Sequence, residues 1–448
     1  MSNAILNAQA SSAVCSTINE SGGLVNPFVY QESGRLAPPH SVQVLNVTKS
    51  GGSMGASKSI TFDIAKNGML TGCWLKLSMP APTGSAVRLD ADTEASGQAE
   101  TGANAIDVGG ASNTSTFHAM GFYKYLSEVR LETSGRVVES LDLYSIMARI
   151  SDLPYGRRRA VEQASFCAGD IPQDSAYEVC LWLPFYFAAD PRYAPNTVFA
   201  EPHRVVCTFS DLKIFHHSGD NEFISPGLAT DQELICKYHQ LADKDLDATV
   251  SANQADGLLS QLVPIMKSEA TFTSTPPGTA SSNTKATKTE TVELKENDAV
   301  TAIYICVTQE GTTAAAHGTT VASALRHQAP LEITNVKLTF NGTAVMDVPG
   351  TWLQYFGRVT GGDGTDSNAP SGMQHIYKID FGLLDLGKGS TSNCVGLREI
   401  SSPRCEISYV YNNPDATAQA HNIHVRYETR AFLTTNSNSG RVQLSISS

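Results

Sequence analysis

The chain is 448 residues long, more than one ordinary domain carries, and 32 Lys and Arg against 44 Asp and Glu give a formal charge of −12. That balance argues against a general nucleic-acid binder, which needs a basic face to displace counterions from phosphates. Apolar residues make up 41% and charged residues 17%, so the chain is no disordered polyelectrolyte and has apolar surface to bury in a core and against partners.

In chain order, the opening residues MSNAILNAQASSAVCSTINE hold no Lys or Arg and no long apolar run, so no secretory signal is expected. No stretch reaches the ~20 apolar residues of a membrane span. Period-2 alternation, the strand signature, then dominates. Ile60, Phe62 and Ile64 form one alternating run and Cys73, Leu75, Leu77 and Met79 the next. Asn67-Gly68 between them suits a type I′ hairpin, whose two turn positions need positive φ. Further runs are Val129/Leu131, Val205/Cys207/Phe209, Ile303/Ile305/Val307, Cys405/Ile407/Tyr409 and Val425/Tyr427, with Val442/Leu444/Ile446 as a closing strand. Helical segments are few: Leu141 to Ile150, capped by Ser140, and a weaker one from Asp243 to Leu259. Long polar stretches at 82–116, 271–289, 311–328 and 360–372 separate the strands and predict an elaborated outer surface.

The most informative feature is an internal repeat. EVRLETSGRVVES at 128–140 aligns without gaps to NVKLTFNGTAVMD at 335–347, an offset of 207 residues. Val129/Val336, Leu131/Leu338, Gly135/Gly342 and Val138/Val345 are identical, and the pattern spells strand, Gly turn, strand. LWLPFYF at 181–187 and YKIDFGL at 377–383 hold equivalent places later, as do Glu201-Pro202-His203-Arg204 and Ser402-Pro403-Arg404-Cys405. The chain therefore reads as all-β, two tandem eight-stranded jelly rolls with long loops and a few short helices, a form that closes sheet edges. The expected division is an N-terminal arm at 1–26, jelly roll 1 at 27–240, a linker at 241–260, jelly roll 2 at 261–437 and a C-terminal tail at 438–448.

Residues with chemistry in them give little. Nine scattered cysteines, an odd number without a C-x-x-C pair, read as mostly buried thiols of a chain made in a reducing compartment. The segment from Gly382 through Gly387-Lys388-Gly389-Ser390 nearly spells a phosphate-binding loop, but Gly389 stands where the motif needs Ser or Thr, and a surface turn is the better account. Adjacent His216 and His217 would, on a strand, point to opposite faces and not easily share a metal. His421 and His424 lack a carboxylate or Cys at ligand spacing, so surface or loop positions are expected for them. Arg157-Arg158-Arg159 is the one basic cluster, read as a protein contact or a solvated loop rather than a nucleic-acid site. The sequons at Asn19, Asn46, Asn113 and Asn341 are read as chance occurrences. No catalytic, cofactor-binding or metal residue is assigned, and no enzyme is expected.

Several segments resemble a known family. Phe62-Asp63-Ile64, Gly68-Met69-Leu70 and Trp74 to Pro80 look like opening strands of the double jelly-roll major capsid proteins of nucleocytoplasmic large DNA viruses and their relatives. His118 to Ile150, Leu183-Pro184-Phe185-Tyr186-Phe187 with Ala194-Pro195, and Ile376 to Phe381 with Gly389-Ser390 and Asn393 resemble later segments of that family. Leu386-Gly387-Lys388 departs from its usual Pro-containing approach to the Asn, and the 82–116 loop is unusual.

The resemblance implies a structural capsid protein whose homotrimer forms pseudo-hexagonal capsomers tiling an icosahedral double-stranded DNA virus shell. Its expected partners are itself, neighbouring capsomers, and minor capsid and penton proteins, without sequence-specific nucleic-acid contact. The expected place is the virion, after assembly in the host cytoplasm. Residues 1–26 would order against partners beneath the shell. The alternatives are a carbohydrate- or receptor-binding β-sandwich protein and a β-sandwich hydrolase.

Overall fold

The computed structural model describes residues 40–80, 88–90, 105–107, 121–133, 135–153, 155–165, 175–189, 193–195, 197, 202–210, 228–241, 258–268, 271–276, 285–309, 331–355, 376–381, 394–411, 420–436 and 441–445. The expected arm at 1–26, His216-His217 and the phosphate-loop-like segment 382–390 lie outside these residues, as do Asn19 and Asn113.

The first part of the chain holds β1 (His40–Thr48), β2 (Gly51–Gly52), β3 (Ser59–Asp63), β4 (Met69–Met79), β5 (Arg88–Asp90), β6 (Ala105–Asp107), β7 (Leu126–Thr133), β8 (Arg136–Asp142), β9 (Tyr177–Leu183), β10 (His203–Phe209) and β11 (Asp231–Leu241). Helix α1 (Leu143–Ser151) and α2 (Tyr155–Ala164) follow β8, and the short α3 (Tyr186–Ala189) follows β9. The second part holds β12 (Leu258–Ser268), β13 (Phe272–Ser274), β14 (Ala286–Glu293), β15 (Ala299–Gln309), β16 (Ile333–Phe340), β17 (Thr343–Pro349), α4 (Gly350–Tyr355), β18 (Tyr377–Asp380), β19 (Val395–Gly396), β20 (Arg404–Tyr411), β21 (His421–Asn436) and β22 (Arg441–Ser445).

Every described pairing within each part is antiparallel, and the two parts share one plan. In the first, one sheet runs β1-β11-β4-β9 and faces a second running β2-β3-β10-β7-β8. In the other, the orders are β12-β21-β15-β18 and β14-β20-β16-β17, with β13 and β22 added on β21 and β19 on β15. Leaving aside β2 and the added β13, β19 and β22, substituting each strand by its counterpart turns one arrangement into the other: eight shared strands in two four-stranded layers, each pairing with the same partners. The fold is a double jelly roll.

The repeat seen in the sequence is the β7–β8 hairpin and its copy β16–β17. Val129, Leu131, Val336 and Leu338 are all fully buried. Gly135 and Gly342 take φ of 73° and 79°, the left-handed turn conformation that glycine adopts without a Cβ clash. Both hairpins also carry a bulge at the same step, between Leu131 and Glu132 and between Leu338 and Thr339. Helices α1 and α4 begin at corresponding positions, Leu143 and Gly350, again 207 apart.

Alternation buries one face of β3, through Ile60 and Phe62, and of β20, through Cys405, Ile407, Tyr409 and Tyr411. The second jelly roll has its own apolar core around Val336, Ile407, Tyr409 and Val425. The core of the first is continuous with residues of the second, among them Val263, Met266, Tyr304, Cys306 and Leu433.

Three local expectations are corrected. Asn67-Gly68 is not a hairpin turn, because β3 pairs with β2 and β10 while β4 pairs with β11 and β9 in the other sheet. Distant groups hold this crossing: the Asn67 side chain donates to Gln43 (2.8 Å) and accepts from Gln240 (2.6 Å), while its N–H donates to Thr197 Oγ1 (3.0 Å). Ser140 does not cap the helix but lies in β8, donating to Glu128 (2.6 Å); the cap is Asp142, which accepts from the Ser145 N–H (2.9 Å). The weaker helix ends wrongly, since Leu258 and Leu259, read also as linker, open strand β12. Within the segment read as tail, Arg441–Ser445 pairs as β22 with β21, with Leu444 opposite Leu433.

Candidate functional site: the seam between the two jelly rolls

The richest polar chemistry among the described residues lies where the β8–α1 corner of the first jelly roll meets the outer face of β12, β21, β15 and β18 in the second. Five side chains of that corner reach across it.

Glu139, on β8, is fully buried and accepts three hydrogen bonds. Arg149 Nη2 donates to Oε1 (2.7 Å), the Met266 N–H of β12 to Oε1 (3.1 Å) and the Tyr186 N–H of α3 to Oε2 (2.7 Å). Arg149 in turn donates to the carbonyls of Pro184 (2.6 Å) and, across the seam, Pro264 (3.1 Å). Burial pushes the Glu139 carboxyl above the usual carboxylate range, opposed by Arg149 and the two backbone donors.

Asp142 joins capping to docking. Besides starting α1, it receives a two-pronged contact from Arg426 of β21, through Nε (2.9 Å to Oδ2) and through Nη2. Burial alone would raise its pKa, but Arg426 and Ser145 outweigh that and hold it below the ordinary value. Beside it the Tyr144 ring stacks on His424 of β21, centroids 3.6 Å apart and planes 18° from parallel, with the Arg426 guanidinium also over the ring.

Asp152, just past α1, accepts from Tyr304 of β15 (2.5 Å) and Lys378 of β18 (3.0 Å). Burial would lower the Lys378 pKa, yet Asp152 and Asp380 hold it above its ordinary value. The seam therefore consists of ionic anchors set in an apolar cluster, an arrangement that fixes orientation more than it adds net stability.

The residues singled out from sequence lie elsewhere or play other parts. His421 and His424, expected at the surface or in a loop, are both buried in β21. His421 lies 3.2 Å from the Tyr409 hydroxyl inside the second jelly roll, while His424 faces the seam, its Nε2 2.9 Å from Thr308 Oγ1. Arg157, Arg158 and Arg159 sit on α2, where Arg158 is buried beside Glu162 (3.5 Å) and Arg159 also approaches it (3.8 Å). That is a protein contact within the chain. Asn46 is on β1, donating to Glu233 (3.3 Å), and Asn341 is in the β16–β17 turn at φ 51°. No grouping of His, Cys, Asp and Glu suited to a metal occurs among the described residues, and none of their helices is long and apolar enough to cross a membrane. Sequence reasoning missed Glu139, Asp142, Asp152, Lys378 and Arg426; a signal was available for Glu139, a charge on a strand between the apolar Val137 and Leu141 two residues away on either side, and none for the others.

No protein-family model matches the chain, and no curated protein matches it. Solved structures do. The PBCV-1 virus capsid aligns at TM-score 0.64 and 14% identity over 94% of this chain and 99% of that one. The Faustovirus major capsid protein aligns at 0.55 and 11% over 100% and 99%, and the mavirus major capsid protein at 0.52 and 10% over 93% and 92%. The chain has the double jelly-roll fold of viral major capsid proteins. Within that fold the seam is the junction that sets one jelly roll against the other.

Proposed function

We propose that this chain is the major capsid protein of a double-stranded DNA virus, three copies of which form a pseudo-hexagonal capsomer of its icosahedral shell. One observation carries the reading: two jelly rolls with the same order of eight shared strands are joined edge to face through a polar-anchored seam. Three such chains supply six similar lobes, the count a hexagonal footprint needs, and a heterologous contact repeated head to tail closes into a ring. Neighbours named as capsid proteins along nearly the whole chain support the same role. The role is structural, in the virion, with neighbouring capsomers and minor capsid and penton proteins as further partners and the host cytoplasm as the place of assembly.

The native mass of the purified protein tests this. Three chains of 47.8 kDa, about 143 kDa, are expected at concentrations where nonspecific association is negligible. A folded monomer that binds a glycan array would instead favour the carbohydrate-binding reading.

A further inference from the structure

The seam within the chain is a worked example of one contact, and the chain displays a second copy of each half of it. The first half is the β8–α1 corner. Its counterpart in the second jelly roll is the β17–α4 corner, and the bulged residues of the two hairpins, Val138 and Val345, correspond. Val138 is 5% exposed within the cluster that continues across the seam, whereas Val345 is 46% exposed. Trp352, two residues into α4, is 36% exposed. Where the seam has the charged anchors Glu139 and Asp142, the second corner has Met346 and Pro349.

The second half is the outer face of β12 and its sheet. Its counterpart is the outer face of β1-β11-β4-β9. Pairing registers put Val42 and Val44 of β1, Ile235 of β11, Trp74 of β4 and Trp182 of β9 on that face. Val42 and Val44 are 51% and 60% exposed, while Met266, on the corresponding outer face of β12, is buried. Trp74 lies across Gly72, where any Cβ would meet the ring at 2.6 Å, so the indole is laid flat along the face.

We infer that the β17–α4 corner of one chain docks on the β1 face of a second copy, with Val345 and Trp352 against Val42, Val44 and Trp74, as β8–α1 docks on β12 within the chain. The inference rests on the capsomer reading and names its contact residues. An apolar patch at Val42, Val44 and Trp74 with an aromatic anchor, bordered by Lys237 and the Lys76–Glu233 ion pair, suits the core and polar rim of such an interface.

The test is sedimentation of full-length chains carrying Val44→Asp, Val345→Asp or, as an exposed apolar site outside both halves, Leu228→Asp, with circular dichroism to confirm folding. Val44→Asp and Val345→Asp are expected to weaken association by about 30-fold or more, and Leu228→Asp to leave it unchanged. If the unmodified chain is a trimer and both first variants remain trimeric, this contact is wrong and the capsomer reading stands. If the unmodified chain is a monomer, both fall. A photo-reactive residue in place of Val345, in mixed heavy- and light-isotope chains, reads the contact without a destabilising charge. Interchain links to the peptide of β1 support it, and links to other peptides alone overturn it.

Discussion

Arg149 on α1 and Glu139 on β8 form a buried ion pair at 2.7 Å, and each extends that pair across the seam, to the carbonyl of Pro264 and the N–H of Met266. Removing one partner strands the other. Arg149→Ala is expected to destabilise the chain by about 3–5 kcal/mol, because a carboxylate is left buried without its counter-charge. Arg149→Met combined with Glu139→Leu should cost clearly less, as no charge remains to be desolvated. Urea unfolding of the three chains decides it; a loss for Arg149→Ala below about 1 kcal/mol would show that water reaches Glu139.

Acid should loosen the molecule in two steps. Burial lowers the His421 pKa to about 4, so the unfolded chain takes up that proton first, below about pH 6.5. Its contribution is full above about pH 6.5 and drains away as pH falls toward 4. Asp142 is also held below its ordinary value, by Arg426 and Ser145 against the effect of burial. Its contribution is present above about pH 4 and is lost at still lower pH, as the folded carboxyl takes up its proton. Melting temperature against pH should therefore flatten in the upper range for His421→Phe and in the lower range for Asp142→Asn. Unchanged curves for both would refute the assignment.

Gly350 opens α4 against β16, and a Cβ there would collide with the Ile333 carbonyl oxygen. Gly350→Ala is expected to cost about 3 kcal/mol through overpacking. Gly342→Ala meets no neighbour but must hold φ near 79°, so about 1 kcal/mol is expected. Thermal unfolding that ranks the two the other way round would mean α4 shifts freely on β16.

Thiol labelling should follow burial. Cys180 and Cys394 are partly exposed, whereas Cys73, Cys207, Cys236, Cys306 and Cys405 are buried. Burial pushes the thiols of Cys207 and Cys405 up to about 12, leaving almost no thiolate at neutral pH. Iodoacetamide followed by peptide mapping is expected to modify Cys180 and Cys394 in the folded chain and the five buried thiols only after unfolding. Early labelling of Cys207 would show that the first sheet pair opens locally.

The architecture was legible because it is written in short-range patterns. Alternation marks β4 and β20 directly, and the 207-residue repeat marks the hairpins with their shared glycines. What was illegible depends on distant partners. Asn67-Gly68 satisfies the chemistry of a hairpin turn, yet Gln240 and Thr197, far along the chain, turn it into a crossing between sheets. Ser140 and Asp142 are both good caps, and only the length of β8 decides between them. The seam was hidden altogether, since Asp142 and Arg426 are 284 residues apart and neither belongs to a motif.

The covalent pairing of two like jelly rolls also changes the statistics of assembly. Six separate lobes gathering into the proposed ring would surrender translational and rotational freedom at five successive meetings, each costing about 4–15 kcal/mol. Three tethered pairs meet only twice. Half of the ring's junctions are then settled while the chain folds, at any dilution, so the concentration needed to close a capsomer is set by the remaining half alone.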